Sequence, residues 1–415
     1  KSLWSIPRSI TGDGIRDTLQ IIKEVLPDLN IHEVKSGTNV FDWTIPLEWK
    51  VRKAFILDPS GVKICNFSEN NLHLMGYSIP IDITLNLSEL QKHLYSLPEL
   101  PDAIPYITSY YADNWGFCIS HNERLKLKKG EYRVVIESKK FEGSLTYGEL
   151  LIPGKSKEEV FFSTYICHPS MANNELSGPV LTTFLAESIV NNLDRNLSYR
   201  IIFVPETIGS ITYISKNLEI MKERIKYGFN ITCVGDERAY SYLPSRMGDS
   251  VSDNIAKHIL TNIDPNYIEY SWKDRGSDER QYCSPGVDLP VASLMRSMYG
   301  KYEEYHTSND TLGSVVTKKG LADSLDMYKK LVYIVENMCH PLAKNYCEPF
   351  MSKRDLYPVI STRNSGKGDE NILMETLTWC DGNHSIIDIA EKCSLPAWKV
   401  IPVINLLCEL DLISK

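Results

Sequence analysis

Four short apolar runs constrain this chain more than any other feature of its 415 residues. They are Val160–Ile166, Tyr199–Val204, Gly228–Val234 and Leu289–Leu294, and helix-period stretches separate most of them. A run of six or seven β-branched and aromatic residues without polar alternation reads as a strand buried on both faces. Val180, Leu181, Phe184, Leu185 and Ile189 form an apolar stripe between the first two runs. Buried strands alternating with amphipathic helices give an α/β fold, a mostly parallel mixed sheet sandwiched by helices. A further helix is expected from about Thr11 to Val25, with Ile15, Leu19, Ile22 and Val25 on one side.

Other stretches break this pattern. Between about residues 41 and 127, short aromatic and β-branched runs alternate with Pro, Gly and Asn turns, the texture of a β-rich unit inserted into the parent domain. After residue 369 come three short amphipathic helical patterns, Ile372–Trp379, Ile386–Lys392 and Trp398–Leu410, behind a polar link, Ser365-Gly366-Lys367-Gly368-Asp369. Three compact helices of that length match a winged-helix or helix-turn-helix module. The expected organisation is therefore a split catalytic domain (1–40 and 128–345), an insertion (41–127), a linker (346–369) and a helical domain (370–415).

Charge narrows the function classes. The net charge is −8, which argues against a nucleic-acid or membrane-surface role. The terminal helical stretch carries three lysines against seven acids, so it is expected to bind a protein or a second copy rather than DNA. No run of about 18 apolar residues is present to span a bilayer. The first residues do not read as a secretory signal. The ten cysteines are scattered with no CxxC pair, pointing to a reduced, cytoplasmic protein rather than a cysteine zinc site.

In an open α/β sheet, chemistry collects at the carboxyl ends of strands. Three of the four runs end in metal- or proton-handling residues: Cys167-His168-Pro169-Ser170, Pro205-Glu206-Thr207 and Gly235-Asp236-Glu237. His306 adds a later histidine in Tyr305-His306-Thr307. Neutral imidazoles and a carboxylate can hold Zn²⁺ with a position open for water, while a second carboxylate moves the proton. The charged loop Asp274–Arg280 supplies Arg275, Glu279 and Arg280 as candidate substrate contacts, arginine being suited to clamping a carboxylate. Tyr305 is a further candidate; Tyr240, Tyr242 and Arg246 read more readily as packing. His121, His258, His340 and His384 have no motif context. Ser177 lacks the GxSxG setting of a serine hydrolase.

The ordered segments His168…Asn174-Glu175-Leu176-Ser177-Gly178, Val204-Pro205-Glu206, Gly235-Asp236, Gly276-Ser277-Asp278 and Tyr305-His306-Thr307 resemble the motifs of co-catalytic zinc aminopeptidases. That group includes bacterial leucyl aminopeptidases and glutaminyl cyclase. Arg8-Ser9-Ile10-Thr11-Gly12 and the stretch Cys167–Pro179 resemble, more closely, an uncharacterised aminopeptidase-like family often described as polysaccharide biosynthesis proteins. Its members join the peptidase-like domain to an inserted β domain and a C-terminal winged helix.

The resemblance implies His168, Asp236 and His306 as zinc ligands and Glu206 as general base. It also implies departures, because the family's bridging aspartate falls on Asn174 and the second glutamate of its pair on Thr207. Two adjacent zinc ions need carboxylates to offset their repulsion, so one ion is expected, with Asn174 and Glu175 as further donors. The expected activity is a metal-dependent, aminopeptidase-like hydrolysis of an amide or peptide bond in a small substrate. An inert scaffold on the same fold, and a regulator acting through the winged helix, remain as alternatives.

Overall fold

The computed structural model describes residues 2–354 and 369–415. Except for Asp369, the expected polar link lies outside these residues. The chain forms two compact units, Lys1–Ser252 with Ile268–Leu325, and Asp253–Tyr267 with Asp326–Lys415.

The first unit is built on an eight-stranded mixed sheet. Its strands are β1 (Asn30–Lys35), β2 (Ser144–Ile152), β3 (Glu159–Tyr165), β4 (Ser198–Val204), β5 (Ile225–Asn230), β6 (Ser241–Leu243), β7 (Ile268–Glu269) and β8 (Val291–Met295). Their order is β1-β2-β4-β3-β5-β8-β6-β7. The four expected runs are the central parallel strands β4, β3, β5 and β8, and antiparallel pairings flank them. Every residue of β3 is buried, as the unbroken apolar run requires.

Helix α1 (Asp13–Val25) buries Ile15, Leu19 and Ile22 along one stripe, each side chain contributing about 1.5–3 kcal/mol by burial. Helix α2 (Ser177–Asn191) follows a π turn at Ala172–Leu176. At Gly178, a Cβ would stand 2.5 Å from both the Ile231 carbonyl oxygen and Thr164 Oγ1. Helix and sheet approach too closely there for any side chain, so Gly178→Ala would force them apart.

Two expectations shift. The insertion is a four-stranded antiparallel sheet of Lys63–Ile64, Glu48–Leu57, Glu131–Phe141 and Ile81–Asn86. It therefore claims Glu131–Phe141, beyond the expected boundary at 127, because that strand pairs with two strands of the insertion. The third apolar run also stops pairing early. β5 ends at Asn230, and Cys233 turns into the left-handed region at φ 52° before Asp236 is reached.

The second unit contains three helices close to those expected: α4 (Asp369–Thr378), α5 (Ile386–Lys392) and α6 (Ala397–Glu409), α3 being Ile208–Arg224 after β4. Ser385 and Asp388 form a reciprocal capping box at the start of α5. Leu342–Ala343 and Ile413–Ser414 pair as a short antiparallel wing. The unit also takes in Asp253–Tyr267 and Asp326–Glu336, which lie within the stretch expected to form the catalytic domain.

Candidate active site

Strand β3 delivers His168 to the carboxyl edge of the sheet, where the ring is buried. Arg8 pins it there. Its Nε donates to the His168 carbonyl at 2.9 Å, its Nη1 to the Leu3 carbonyl at 2.6 Å, and Nε lies 3.6 Å from Glu175 Oε1. Both side chains of that ion pair are fully buried. Glu175 comes from the π turn before α2, a distortion often found at functional sites. Its Oε2 stands 2.9 Å from His168 Nδ1. A carboxylate holding one ring nitrogen fixes the ring's orientation and leaves the other nitrogen its lone pair. Burial, with Arg8 nearby, pushes the imidazole down to about 3, so His168 is neutral. Burial pushes the Glu175 carboxyl up to about 8 against the pull of Arg8.

Strand β4 delivers Glu206. Its Oε1 accepts from Ser277 Oγ at 2.7 Å, and its Oε2 lies 3.6 Å from His168 Nε2, too far for a hydrogen bond. Burial first, and the Asp278 carboxyl second, raise Glu206 above the usual carboxylate range. Burial also raises Asp278, whose Oδ1 accepts from Thr207 N and Ser210 Oγ, both at 2.7 Å. Thr207 sits at φ 64°, an outlier for a β-branched residue.

His306 faces this pair from a later loop, its ring centroid 5.4 Å from that of His168. Tyr305 stacks on it at 3.9 Å. Its backbone is also left-handed, at φ 56°. Burial, and His168, push it down to about 3. Its Nε2 is buried with no hydrogen-bond partner.

Sequence reasoning gave no warning of the next participant. Tyr106, from the insertion, stands edge-on to both histidines, at 5.1 Å from His168 and 5.2 Å from His306. Its backbone N–H donates to the His306 carbonyl, and its hydroxyl pairs with that of Tyr110 at 2.7 Å. The Ile104-Pro105-Tyr106 stretch carries no periodic or motif signal that could have placed it. Arg8, by contrast, lies in a segment already singled out as a signature.

Other candidates fall elsewhere. Asp236 is already satisfied: Oδ1 accepts from Arg238 N and Ser297 Oγ, and Oδ2 from Ser297 N and Asn173 Nδ2. Asn174 Oδ1 lies 3.1 Å from the Tyr165 hydroxyl, and its Nδ2 is unpartnered. Glu279 is consumed as a structural acceptor by Gly276 N, Ser277 N, the Tyr299 hydroxyl and Asn230 Nδ2. Arg280 reaches Thr207 Oγ1 at 2.9 Å, next to Glu206, whereas Arg275 folds back on Trp272. Tyr240 lies under Arg296, Tyr242 is fully buried, and Arg246 binds the Cys283 carbonyl and Asp288.

The donor chemistry bears on a metal. His168 and His306 are neutral imidazoles with an Nε2 outside any hydrogen bond, the form that ligates zinc, and the buried orphan on His306 calls for a partner. They fit. The third expected ligand does not, because four hydrogen bonds occupy both Asp236 oxygens. Among the described residues only Cys167, His168 and Glu175 bring metal-capable atoms within 4.8 Å of one another. That group is closed by the His168–Glu175 hydrogen bond, and burial holds the Cys167 thiol well above its ordinary value.

Residues 1–338 match the family described as a domain of unknown function, DUF4910. The chain belongs to that family. Residues 340–415 match a winged helix-turn-helix family, in keeping with the three terminal helices and their wing. A relative from Clostridium acetobutylicum, provisionally named a polysaccharide biosynthesis protein with an aminopeptidase-like domain, is 44% identical over all 415 residues and 94% of its own length. A crystal structure of a provisionally assigned peptidase from the same organism superposes with a TM-score of 0.93, at 43% identity, covering 100% of this chain and 94% of that one. The zinc aminopeptidase BSAP from Bacillus subtilis shares the fold, with a TM-score of 0.57 at 12% identity over 79% of this DUF4910 chain and 90% of its own. The resemblance read from the sequence and the α/β aminopeptidase-like fold are thus both borne out. No helix among the described residues is long and apolar enough to cross a membrane.

Proposed function

We propose that this protein is an aminopeptidase-like hydrolase that cleaves an amide bond of a small substrate, with Glu206 as its proton-transfer group. The carrying observation is the state of Glu206: partly buried, held at one oxygen by Ser277, and presenting the other toward His168. A carboxyl raised toward neutral pH can both take a proton from water and return it to a leaving amine. His168 and His306 would supply two of the three protein ligands of one zinc ion, which when bound lowers the pKa of its water and polarises the scissile carbonyl. One ion suits the chain better than two, since Asn174 and Thr207 stand where a binuclear centre needs carboxylates. Arg280, bonded to Thr207 beside Glu206, would meet a substrate carboxylate.

The relative's name supports a substrate from polysaccharide biosynthesis, and ten cysteines, none in a disulfide, support a reducing, cytoplasmic setting. The acidic winged helix suits a protein partner or a second copy better than DNA.

Metal analysis with amidase assays on wild type and Glu206→Gln tests the reading. Zinc at one per chain is expected, with turnover lost at least a hundredfold in the variant. Full activity in Glu206→Gln would remove Glu206 from the chemistry. A second reading, a binding protein on the same fold, is favoured by the full engagement of Asp236; zinc-free protein without turnover would select it.

A further inference from the structure

Arg280 is exposed, and among the described residues it pairs with no acid. Its Nη2 donates to Thr207 Oγ1 at 2.9 Å, which leaves most of its N–H donors for a ligand. The same loop holds the proton-transfer group. Ser277 Oγ donates to Glu206 Oε1, and Asp278 Oδ1 accepts from Thr207 N, both at 2.7 Å. These bonds fix the guanidinium beside the residue that follows Glu206. Threonine at 207 preserves its charge: a glutamate there would pair with Arg280, whereas a hydroxyl accepts a hydrogen bond and neutralises nothing.

The neighbouring acids do not answer that charge. Asp278 and Glu279, on the same loop, are wholly buried, as is Glu175 beside His168. Glu279 is spent on the donors of its own loop and Tyr299, and Glu175 on Arg8 and His168. Glu304, next to Tyr305, is held at both oxygens by Arg238. Of these site acids Glu206 alone is open to a ligand, and the hydrolase reading gives its carboxyl to proton transfer. A substrate ammonium, the mark of a free N-terminus, would meet Arg280 as a like charge and find no spare carboxylate to offset it. A substrate carboxylate would meet a planar fork that can hold both its oxygens.

We infer that the substrate is an amide that carries a carboxylate and no free amine, the N-acyl amino acids being the simplest such class, with Arg280 binding the carboxylate. The inference deepens the hydrolase reading and rests on it for the bond cleaved; selective binding of the anion stands without it.

Calorimetry on the full chain, comparing N-acetyl-L-alanine with neutral N-acetyl-L-alaninamide and cationic L-alaninamide, tests the inference. Saturable binding of the carboxylate is expected, about tenfold tighter than that of the neutral amide, the worth of one hydrogen bond to a charged group. Arg280→Gln should remove that preference, and Arg280→Lys, which keeps the charge but not the fork, should restore part of it. Near-UV circular dichroism checks both folds, and the wild-type comparison of the three compounds decides should the variants misfold. Tighter binding of L-alaninamide, no saturable binding of N-acetyl-L-alanine, or a preference indifferent to Arg280→Gln would overturn the assignment. Anion-selective binding without hydrolysis would count against the Glu206 reading alone, whereas hydrolysis of L-alaninamide in preference to N-acetyl-L-alanine would keep that reading and overturn this one.

Discussion

Removing Arg8 alone should cost more than removing Arg8 and Glu175 together. The two side chains are wholly buried with 3.6 Å between Arg8 Nε and Glu175 Oε1. At an effective dielectric of about 20, that separation is worth about 4–5 kcal/mol of attraction. Arg8→Met forfeits it, along with the bonds to the Leu3 and His168 carbonyls, and strands a carboxylate in the interior. Breaking one side of such a pair costs about 3–5 kcal/mol. Arg8→Met with Glu175→Gln leaves no buried charge, and glutamine can still meet His168 Nδ1. The measurement belongs at pH 9, above the value of about 8 to which burial pushes Glu175, so that both partners are charged. Urea unfolding followed by near-UV circular dichroism should give a double-mutant coupling of about 2–3 kcal/mol. Strictly additive single-mutant costs would refute the claim that Arg8 acts through Glu175. Nitrogen-15 spectra of the His168 ring supply a local readout, because loss of the carboxylate anchor should release the Nδ1–H tautomer.

Asp236→Asn turns one of the two acceptor oxygens into a donor group facing the donors of Ser297, Asn173 or Arg238, and should destabilise the first unit by about 2–4 kcal/mol while leaving bound zinc per folded chain unchanged. Zinc lost from folded variant would restore Asp236 as a ligand. In the second unit, His258 Nε2 accepts the Ala397 N–H at 2.9 Å, serving as a cap for α6, whose own N-cap residue, Pro396, offers none. Burial pushes His258 from 6.5 down to about 4, a depressed folded value. Its contribution is therefore complete above pH 6.5 and lost as pH falls through about 4, amounting to about 3 kcal/mol. Thermal midpoints of wild type and His258→Phe should converge across that window; a constant difference would exclude the cap.

The fold was legible because its central strands carry their burial in their composition: β3 is buried at every residue, and no helix or half-exposed strand writes that pattern. His168 and Glu206 were legible for the same reason, each standing directly beyond a fully paired strand. The insertion's claim on Glu131–Phe141 was not, since antiparallel pairing with residues 45 to 93 positions upstream leaves no mark in the strand itself. Nor was Tyr106, whose place between the histidines is set by pairing of Pro105 with Thr307.

Asp236 shows where the strand-end rule needs a second criterion. It follows an apolar run as Glu206 does, but its short side chain closes an Asx turn on Arg238 N and spends its remaining acceptor capacity on Ser297 and Asn173. Glu206 has one more methylene, cannot close that turn, and reaches instead across to Ser277 and His168. Side-chain length thus separates an acid that caps its own loop from one that projects into a site. On that criterion a glutamate placed at 236 would lose the turn and free its carboxylate, so Asp236→Glu should cost stability yet move a carboxylate out of the Ser297 and Asn173 network.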